Sequence, residues 1–196
     1  LEIALNRAQM TGASKDERLF LHGQLNVMRR RLAPARATFV KWAERSGKAV
    51  RWEKVIAFYL SVAQLDEAVW AITTAEKNFP KQWQLLQLAG RTYVRVNQPN
   101  DAVKAWVKAS KLRTSSEEAV KALLDGAGLL RNAGYRDPAL TLYAAALKRA
   151  GLVWSVVEPY SLYLAQLARW KRLSRLLHTY VKKHAYAPEV VSKVAH

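Results

Sequence analysis

The sequence contains no cysteine among its 196 residues. Disulfides, thiolate zinc sites and cysteine nucleophiles are therefore excluded. No apolar run approaches the roughly 18 to 20 residues that a membrane-spanning helix needs, and no charged-then-apolar signal peptide opens the chain. The first residue is Leu1 rather than Met, and it lies in helix-like sequence. We therefore expect the sequence to be a piece of a longer protein.

Motifs of catalysis are also missing. The sequence has no P-loop, no G-x-G-x-x-G and no G-x-S-x-G elbow. None of its four histidines falls in an H-E-x-x-H arrangement, and His22 occupies a position that we expect to be packed. The pair Glu117-Glu118 fits the start of a helix, where carboxylates suit the helix dipole. We predict that the chain is not an enzyme and binds neither a cofactor nor a metal.

Acidic residues are scarce relative to basic ones. The chain has 32 Lys and Arg against 15 Asp and Glu, which gives a net charge of +17. The charge is spread evenly, since residues 1–98 hold 16 basic and 8 acidic residues and residues 99–196 hold 16 and 7. No basic tail can be separated from the rest. The charge therefore belongs to the folded surface, which should attract anionic partners.

What the sequence does contain is a repeat with an offset of 34 residues. The first window holds the following residues at its key positions: Trp52, Val55, Ile56, Tyr59, Ala68, Ile72, Ala75 and Pro80. The second window, 34 residues further on, holds these: Leu86, Ala89, Gly90, Tyr93, Ala102, Trp106 and Ala109. This resembles the tetratricopeptide pattern, W-x2-L-G-x2-Y followed by A-x3-F and P.

The pattern has a reason in packing. Large residues at successive turns, such as Trp52, Val55 and Tyr59, face the second helix of the same pair, while Ala68 lets two helices approach closely. Pro80 then ends the second helix. The resemblance implies an all-α fold, a right-handed superhelical solenoid of antiparallel helix hairpins with about five repeats. Ile56 departs from the pattern, because a small residue is usual there.

The predicted units cover residues 16–48, 49–82, 83–116, 120–153 and 154–187, and residues 1–15 would be the second helix of a preceding repeat. The fourth unit is shifted by three residues, so we expect a longer loop around Arg113–Ser116. In the last unit we expect a helix from Pro159 to Ala168 and another from Trp170 to His184. The sequence thus predicts a single solenoid that continues beyond this piece.

The resemblance implies that the first helix of each pair lines a groove. The predicted partner-binding residues are Gln84, Gln87, Arg91, Arg95, Lys121, Arg131 and Asn132. Other lining positions are Phe20, Gln24, Val27, Met28, Glu53, Ala57, Leu60, Val94 and Leu124. Each arginine alone would be an ordinary solvated residue, but as a group they fit an acidic peptide or another anion, because guanidinium groups grip carboxylates bidentately. The family's carboxylate clamp is not reproduced, so we do not expect capture of a chaperone C-terminus.

The tryptophans and the last helix are interpreted first as structural. Four of the seven tryptophans fit packing positions, and we expect them in the core: Trp42, Trp52, Trp106 and Trp170. Arg29–Arg31 are expected to form a charged helix face. The stripe on the last helix is expected to be a solvated face, with an anion or nucleic-acid patch as the alternative; it consists of Lys171, Arg175, His178 and Lys182.

Two functions fit these features. The first is a protein-interaction scaffold whose partner is an acidic protein surface or peptide, or an anionic polymer. Long arrays of this kind resemble the scaffolds of bacterial exopolysaccharide synthesis and export, which implies a role in biofilm secretion and a periplasmic location. The alternative is a basic helical-repeat module that binds nucleic acid. Against the alternative, the basic residues do not recur at one repeat position, as a modular base code requires.

Overall fold

In the computed structural model, residues 14–45 and 47–184 are described. They form ten α-helices and no strand, which confirms the all-α prediction. The helices are α1 (Lys15–Met28), α2 (Leu32–Glu44), α3 (Ala49–Ser61), α4 (Leu65–Asn78), α5 (Trp83–Arg95), α6 (Pro99–Leu112), α7 (Ser116–Asn132), α8 (Arg136–Ala150), α9 (Trp154–Gln166) and α10 (Trp170–His184). The predicted helix of residues 1–15 lies almost wholly outside the described residues.

The chain divides into two compact units between Thr92 and Tyr93. In the first unit α1 packs on α2, α3 packs on α4, and α2 contacts α3. In the second unit α7 packs on α8, α9 packs on α10, and α6 contacts both α7 and α8. Each unit is therefore built from antiparallel helix hairpins. The handedness of a superhelix and the five unit boundaries stay predictions from the repeat.

The turn inside each helix pair has the same backbone geometry every time. Each turn is three residues long, and its middle residue has a positive φ; these residues are Arg30, Ala63, Asn97, Gly134 and Ala168. The N–H of the next residue donates to the carbonyl five residues earlier, at 2.8 or 2.9 Å in all five turns. This is the Schellman arrangement that ends an α-helix. The prediction of a charged helix face at Arg29–Arg31 is therefore wrong, because these residues form the first turn.

The extra length of the fourth unit lies in a helix and not in a loop. The positive-φ residues Asn97 and Gly134 are 37 residues apart, whereas Ala63 and Asn97 are 34 apart. Helix α7 has 17 residues, and only residues 113–115 connect it to α6. The predicted long loop is wrong because the Ser115 hydroxyl accepts from the N–H of Glu118 and starts the helix at once.

Aromatic rings fill the core of the first unit. The ring centroids of Phe20 and Trp42 are 4.5 Å apart, and those of Phe39 and Tyr59 are 5.4 Å apart. Gly23 lies directly on this cluster, since a Cβ there would lie 2.4 Å from the Phe39 ring. Burial raises the pKa of Tyr59. The signature positions of the repeat therefore hold the residues that exclude water from this unit.

Ion pairs join neighbouring hairpins of the first unit. The Arg36 guanidinium on α2 donates two hydrogen bonds to the Glu67 carboxylate on α4, at 2.6 and 2.7 Å. Glu67 is buried, and Arg36 also covers the Trp70 ring at 5.1 Å. Asp16 on α1 accepts from Arg51 on α3 at 2.6 Å. Arginine thus forms bidentate contacts with carboxylates inside this protein.

Close helix contacts also define the second unit. Trp106 and Leu142 are buried on either side of Gly126, where a Cβ would lie 2.6 Å from the indole and 2.9 Å from the leucine. The rings of Tyr143 and Tyr160 stack with centroids 5.6 Å apart. Small residues on α7 therefore set how closely α6 and α8 approach it.

The last helix pair departs from the prediction at two places. Helix α9 begins at Trp154, five residues before the predicted start, so Pro159 lies inside it. A proline there leaves one carbonyl without its usual donor, but the rest of the helix continues through it. Trp170 is 62% exposed, so its prediction as a core residue is wrong, whereas Trp42, Trp52 and Trp106 are buried as predicted.

The buried face of α10 explains the exposure of Trp170. Leu176 and Tyr180 are buried, and Leu173 and Leu177 pack against the core of the second unit. These four positions follow the i, i+3, i+4, i+7 spacing of one helix face. Trp170 continues this stripe towards the N-terminus, three residues before Leu173, but as the first residue of the helix it lies at the end of the packed face and remains 62% exposed. None of the described helices has the length and apolarity to cross a membrane.

Candidate binding surface

The predicted partner-binding residues lie mostly at the surface. In the first unit Gln84 and Arg91 are exposed and Gln87 is half-buried. In the second unit four of them are exposed: Arg95, Lys121, Arg131 and Asn132. Arg91 and Arg95 are one helical turn apart on α5, as are residues i and i+4 of any helix. That all seven side chains share one groove stays a prediction.

The cations of this set have no carboxylate partner in the part of the chain that the structure describes. Within residues 14–45 and 47–184, no ion pair involves Arg91, Arg95, Lys121 or Arg131. Other cations of the chain do pair, as Arg36 shows. The predicted cations are therefore available to an anion from outside.

Arg131 has surroundings that the sequence did not indicate. Its Nε donates to the amide oxygen of Asn132 at 3.4 Å, which joins two predicted residues. Burial raises the pKa of Tyr143 and of Tyr163, and the nearby positive charge of Arg131 partly offsets both shifts. Arg131 is therefore an exposed cation at the end of α7, near enough to two tyrosines to affect their pKa values, and its planar guanidinium group can meet a carboxylate.

Several other predicted lining residues are not open to a partner. Val27 is 5% exposed, and Phe20 packs on Trp42. Val94 and Leu124 pack against the core of the second unit. Their apolar side chains complete the hairpin contacts, so the polar residues carry the candidate surface.

A basic cleft on α1 and α2 went unpredicted. It has a volume of about 300 Å³, and its lining residues are Lys15, Arg18, Leu19, His22, Lys41 and Arg45. His22 is exposed there, so the prediction that it is packed is wrong. Arg45 also pairs with Asp16 at 3.3 Å. Since positions i, i+3 and i+7 share a helix face, the spacing of Lys15, Arg18 and His22 carried a signal for this surface.

The described residues hold no cluster of three or more metal-ligating side chains. Several carboxylates of these residues form hydrogen bonds or ion pairs within the protein. The Ser14 hydroxyl accepts from the backbone N–H of Glu17 and the Glu17 carboxylate accepts from the backbone N–H of Ser14, which forms a capping box at the start of α1. The backbone N–H and the hydroxyl of Ser14 both donate to the Glu17 carboxylate and lower its pKa. Glu118 pairs with Arg113 at 2.8 Å. These contacts stabilise helix ends and connections.

Comparisons with known proteins find solved structures with a similar fold. Neither a family model nor a curated protein sequence matches the chain. Among solved structures, YrrB, described as a TPR protein with an unusual peptide-binding site, is 18% identical, with 98% of each chain covered and a TM-score of 0.47. MamA is 11% identical, with 87% of this chain and 92% of that chain covered and a TM-score of 0.49.

A tetratricopeptide repeat protein from Parabacteroides merdae is also similar. It is 15% identical, with 92% of this chain and 71% of that chain covered and a TM-score of 0.49. With TM-scores below 0.5 and identities below 20%, these likenesses carry no argument about what the present chain binds.

Proposed function

We propose that the chain is a tetratricopeptide-type scaffold that recruits an acidic protein partner and has no catalytic activity of its own. The observation that supports this proposal is the set of exposed cations that have no ion pair with any described residue. The first unit offers Arg91, and the second offers Arg95, Lys121 and Arg131. Gln84, Gln87 and Asn132 add amide groups that can bond to a peptide backbone.

The chemistry of the chain's own ion pairs supports a carboxylate as the group that is bound. Arg36 grips Glu67 through two nitrogens, with both distances below 2.8 Å. An exposed arginine can form the same planar contact with an aspartate or glutamate of a partner. Such contacts are stronger at an interface from which water is partly excluded than in bulk water. A few arginines can therefore contribute much of the binding free energy.

The setting of this scaffold is a finer proposal. Long repeat arrays resemble the scaffolds of bacterial exopolysaccharide export, so a periplasmic role in biofilm secretion is consistent with the repeat. An anionic polymer would then be an alternative occupant of the same cations. A nucleic-acid module is the second candidate, and the net charge of +17 favours it.

A charge reversal on α5 tests the proposal. The double variant Arg91→Glu and Arg95→Glu should weaken capture of the partner from an extract of the source cells by about tenfold, because two carboxylate contacts become repulsive. The helical content should not change, since both side chains are exposed. The amount of partner retained on the immobilised chain measures the effect.

The matched control carries the same change of charge elsewhere. Lys77 and Lys81 are exposed, four residues apart and outside the predicted set. The variant Lys77→Glu and Lys81→Glu should retain the partner to within about twofold, because an exposed charge that makes no direct contact contributes only a few tenths of a kcal/mol. Equal losses in the two double variants would reject α5 as the binding surface.

A further inference from the structure

A second cleft lies wholly within the second unit, at the starts of α8 and α10. It has a volume of about 800 Å³, the size of sites that hold several groups of a ligand. Asp137 and Leu140 line it from α8, and Ala168 lines it from the turn between α9 and α10. The remaining lining residues come from one short stretch: Arg169, Trp170, Lys171, Arg172 and Arg175.

This cleft concentrates positive charge. Residues 154–184 contain six Lys and Arg residues and a single carboxylate, Glu158. Within the part of the chain that the structure describes, no ion pair involves Arg169, Lys171 or Arg175. Arg172 is held in place, since its guanidinium covers the buried Tyr160 ring at 5.6 Å. The cleft lining thus holds one cation that is held on a ring and three that have no ion pair among the described residues.

An exposed tryptophan stands among these cations. Trp170 is 62% exposed, whereas Trp106 of the same unit is 1% exposed. An indole that stays in water does not gain the large favourable free energy of burial. Tryptophan and arginine are also the residues most enriched at energetically dominant positions of protein interfaces. The cleft therefore combines an apolar anchor with groups that bind carboxylates.

The lining favours a peptide over a nucleic acid. Among the described residues, Trp170 is the one aromatic side chain that lines the cleft, while single strands bind on successive aromatic platforms. Asp137 repels phosphates but can accept an N–H from a peptide backbone. Leu140 extends the apolar floor beside it.

We propose that this cleft binds an acidic peptide segment of a partner protein. An apolar side chain of the peptide covers Trp170, and its carboxylates meet Arg169, Lys171 and Arg175. The proposal depends on the charge and shape of this cleft and not on α5 or α7. It can therefore fail while the proposed scaffold surface stands, and the converse also holds.

The test measures fluorescence anisotropy of a labelled peptide that carries one leucine among glutamates, with the full chain at physiological salt. Trp170→Ala and Arg175→Glu should each weaken binding about tenfold, as loss of a dominant interface residue does. Leu162→Ala removes another exposed apolar side chain of this unit, 60% exposed, and Lys182→Glu makes the same charge change on α10 outside the cleft. Both controls should stay within about twofold of the unchanged chain.

Three results would overturn the proposal. Equal losses for Arg175→Glu and Lys182→Glu would show general attraction between charges and no site. Tighter binding of a thymidine oligonucleotide of matched charge, lost in Trp170→Ala, would assign the cleft to nucleic acid. No binding of the peptide by the unchanged chain would remove the site altogether. Circular dichroism and a melting curve for each variant separate these results from misfolding.

Discussion

At the scale of single residues, two glycines of α7 have opposite surroundings. A Cβ on Gly126 would meet Trp106 and Leu142, while a Cβ on Gly128 would meet no atom within 4 Å. Gly126→Ala should therefore lower the free energy of unfolding by about 1 to 3 kcal/mol through overpacking. Gly128→Ala should raise it by up to about 1 kcal/mol, because alanine favours the helix. Urea unfolding midpoints measure both, and a Gly126→Ala chain as stable as the original would contradict the described contact.

The left-handed turn residues give a second prediction at this scale. Ala63 has a φ of 57°, where an L-residue is strained and glycine is not. Ala63→Gly should therefore raise the free energy of unfolding by up to about 1 kcal/mol, less the entropy that glycine adds to the unfolded chain. Ala57→Gly on α3 is the control, since the same change inside a helix should cost about 1 kcal/mol. Melting temperatures that fall in both variants would refute the Schellman turn.

At the scale of helices, the ion pair between α1 and α3 makes stability depend on pH. The hydrogen bond from Arg51, with the charges of Arg51 and Arg45, lowers the pKa of Asp16 below that of an ordinary aspartate. Because the pKa of Asp16 is lower in the folded than in the unfolded chain, ionised Asp16 stabilises the fold at pH values above its unfolded-state pKa. This stabilisation is lost as the pH falls through the folded-state pKa. Asp16→Asn should therefore lower the melting temperature near neutral pH.

The difference between Asp16→Asn and the unchanged chain should shrink as the pH falls below about 4, where the unfolded carboxyl takes up its proton. Asp125→Asn is the matched control, because Asp125 is exposed and has no ion pair among the described residues. A gap for Asp16→Asn that is the same at pH 7 and pH 2.5 would show that the Arg51 contact does not stabilise the fold.

Some features of the helices were predictable from the sequence, and others were not. Signature positions such as Trp52 and Ala102 predicted the hairpins, because burial and close approach restrict which residues fit there. The added residues near Ser115 were assigned to a loop, since spacing alone does not say whether an insertion extends a helix. The spacing of Trp170 and Leu173 predicts a core position for Trp170, because both lie on one stripe of α10, but the spacing does not show that the packed part of the helix begins only after its first residue. The Leu173–Tyr180 spacing was the better guide to the buried face.

The candidate surface was predictable only in part. The exposure of Arg91 and Arg95 followed from their place opposite the packed residues of α5. The two basic clefts followed only in part: the spacing of Lys15 and Arg18, or of Lys171 and Arg175, indicates a basic face of one helix, but each cleft also needs side chains of a second helix. Resemblance to a repeat positions each helix, but it does not say which side chains of different helices meet.

At the scale of the whole molecule, a net charge of +17 attracts both acidic proteins and nucleic acids. The two differ in their response to salt. Binding through phosphates weakens by about a thousandfold or more between 50 and 200 mM salt when six or more phosphates are contacted. A protein interface with buried apolar anchors should lose less affinity over that range.

The most direct measurement is therefore capture of partners by the immobilised chain at physiological salt, with and without nuclease. If the chain is a scaffold, a defined acidic protein stays bound after nuclease treatment. The Arg91→Glu and Arg95→Glu double variant then retains about tenfold less of that protein. Retention of mixed nucleic acid alone, lost steeply as salt is added, would contradict the scaffold and establish electrostatic nucleic-acid binding in its place.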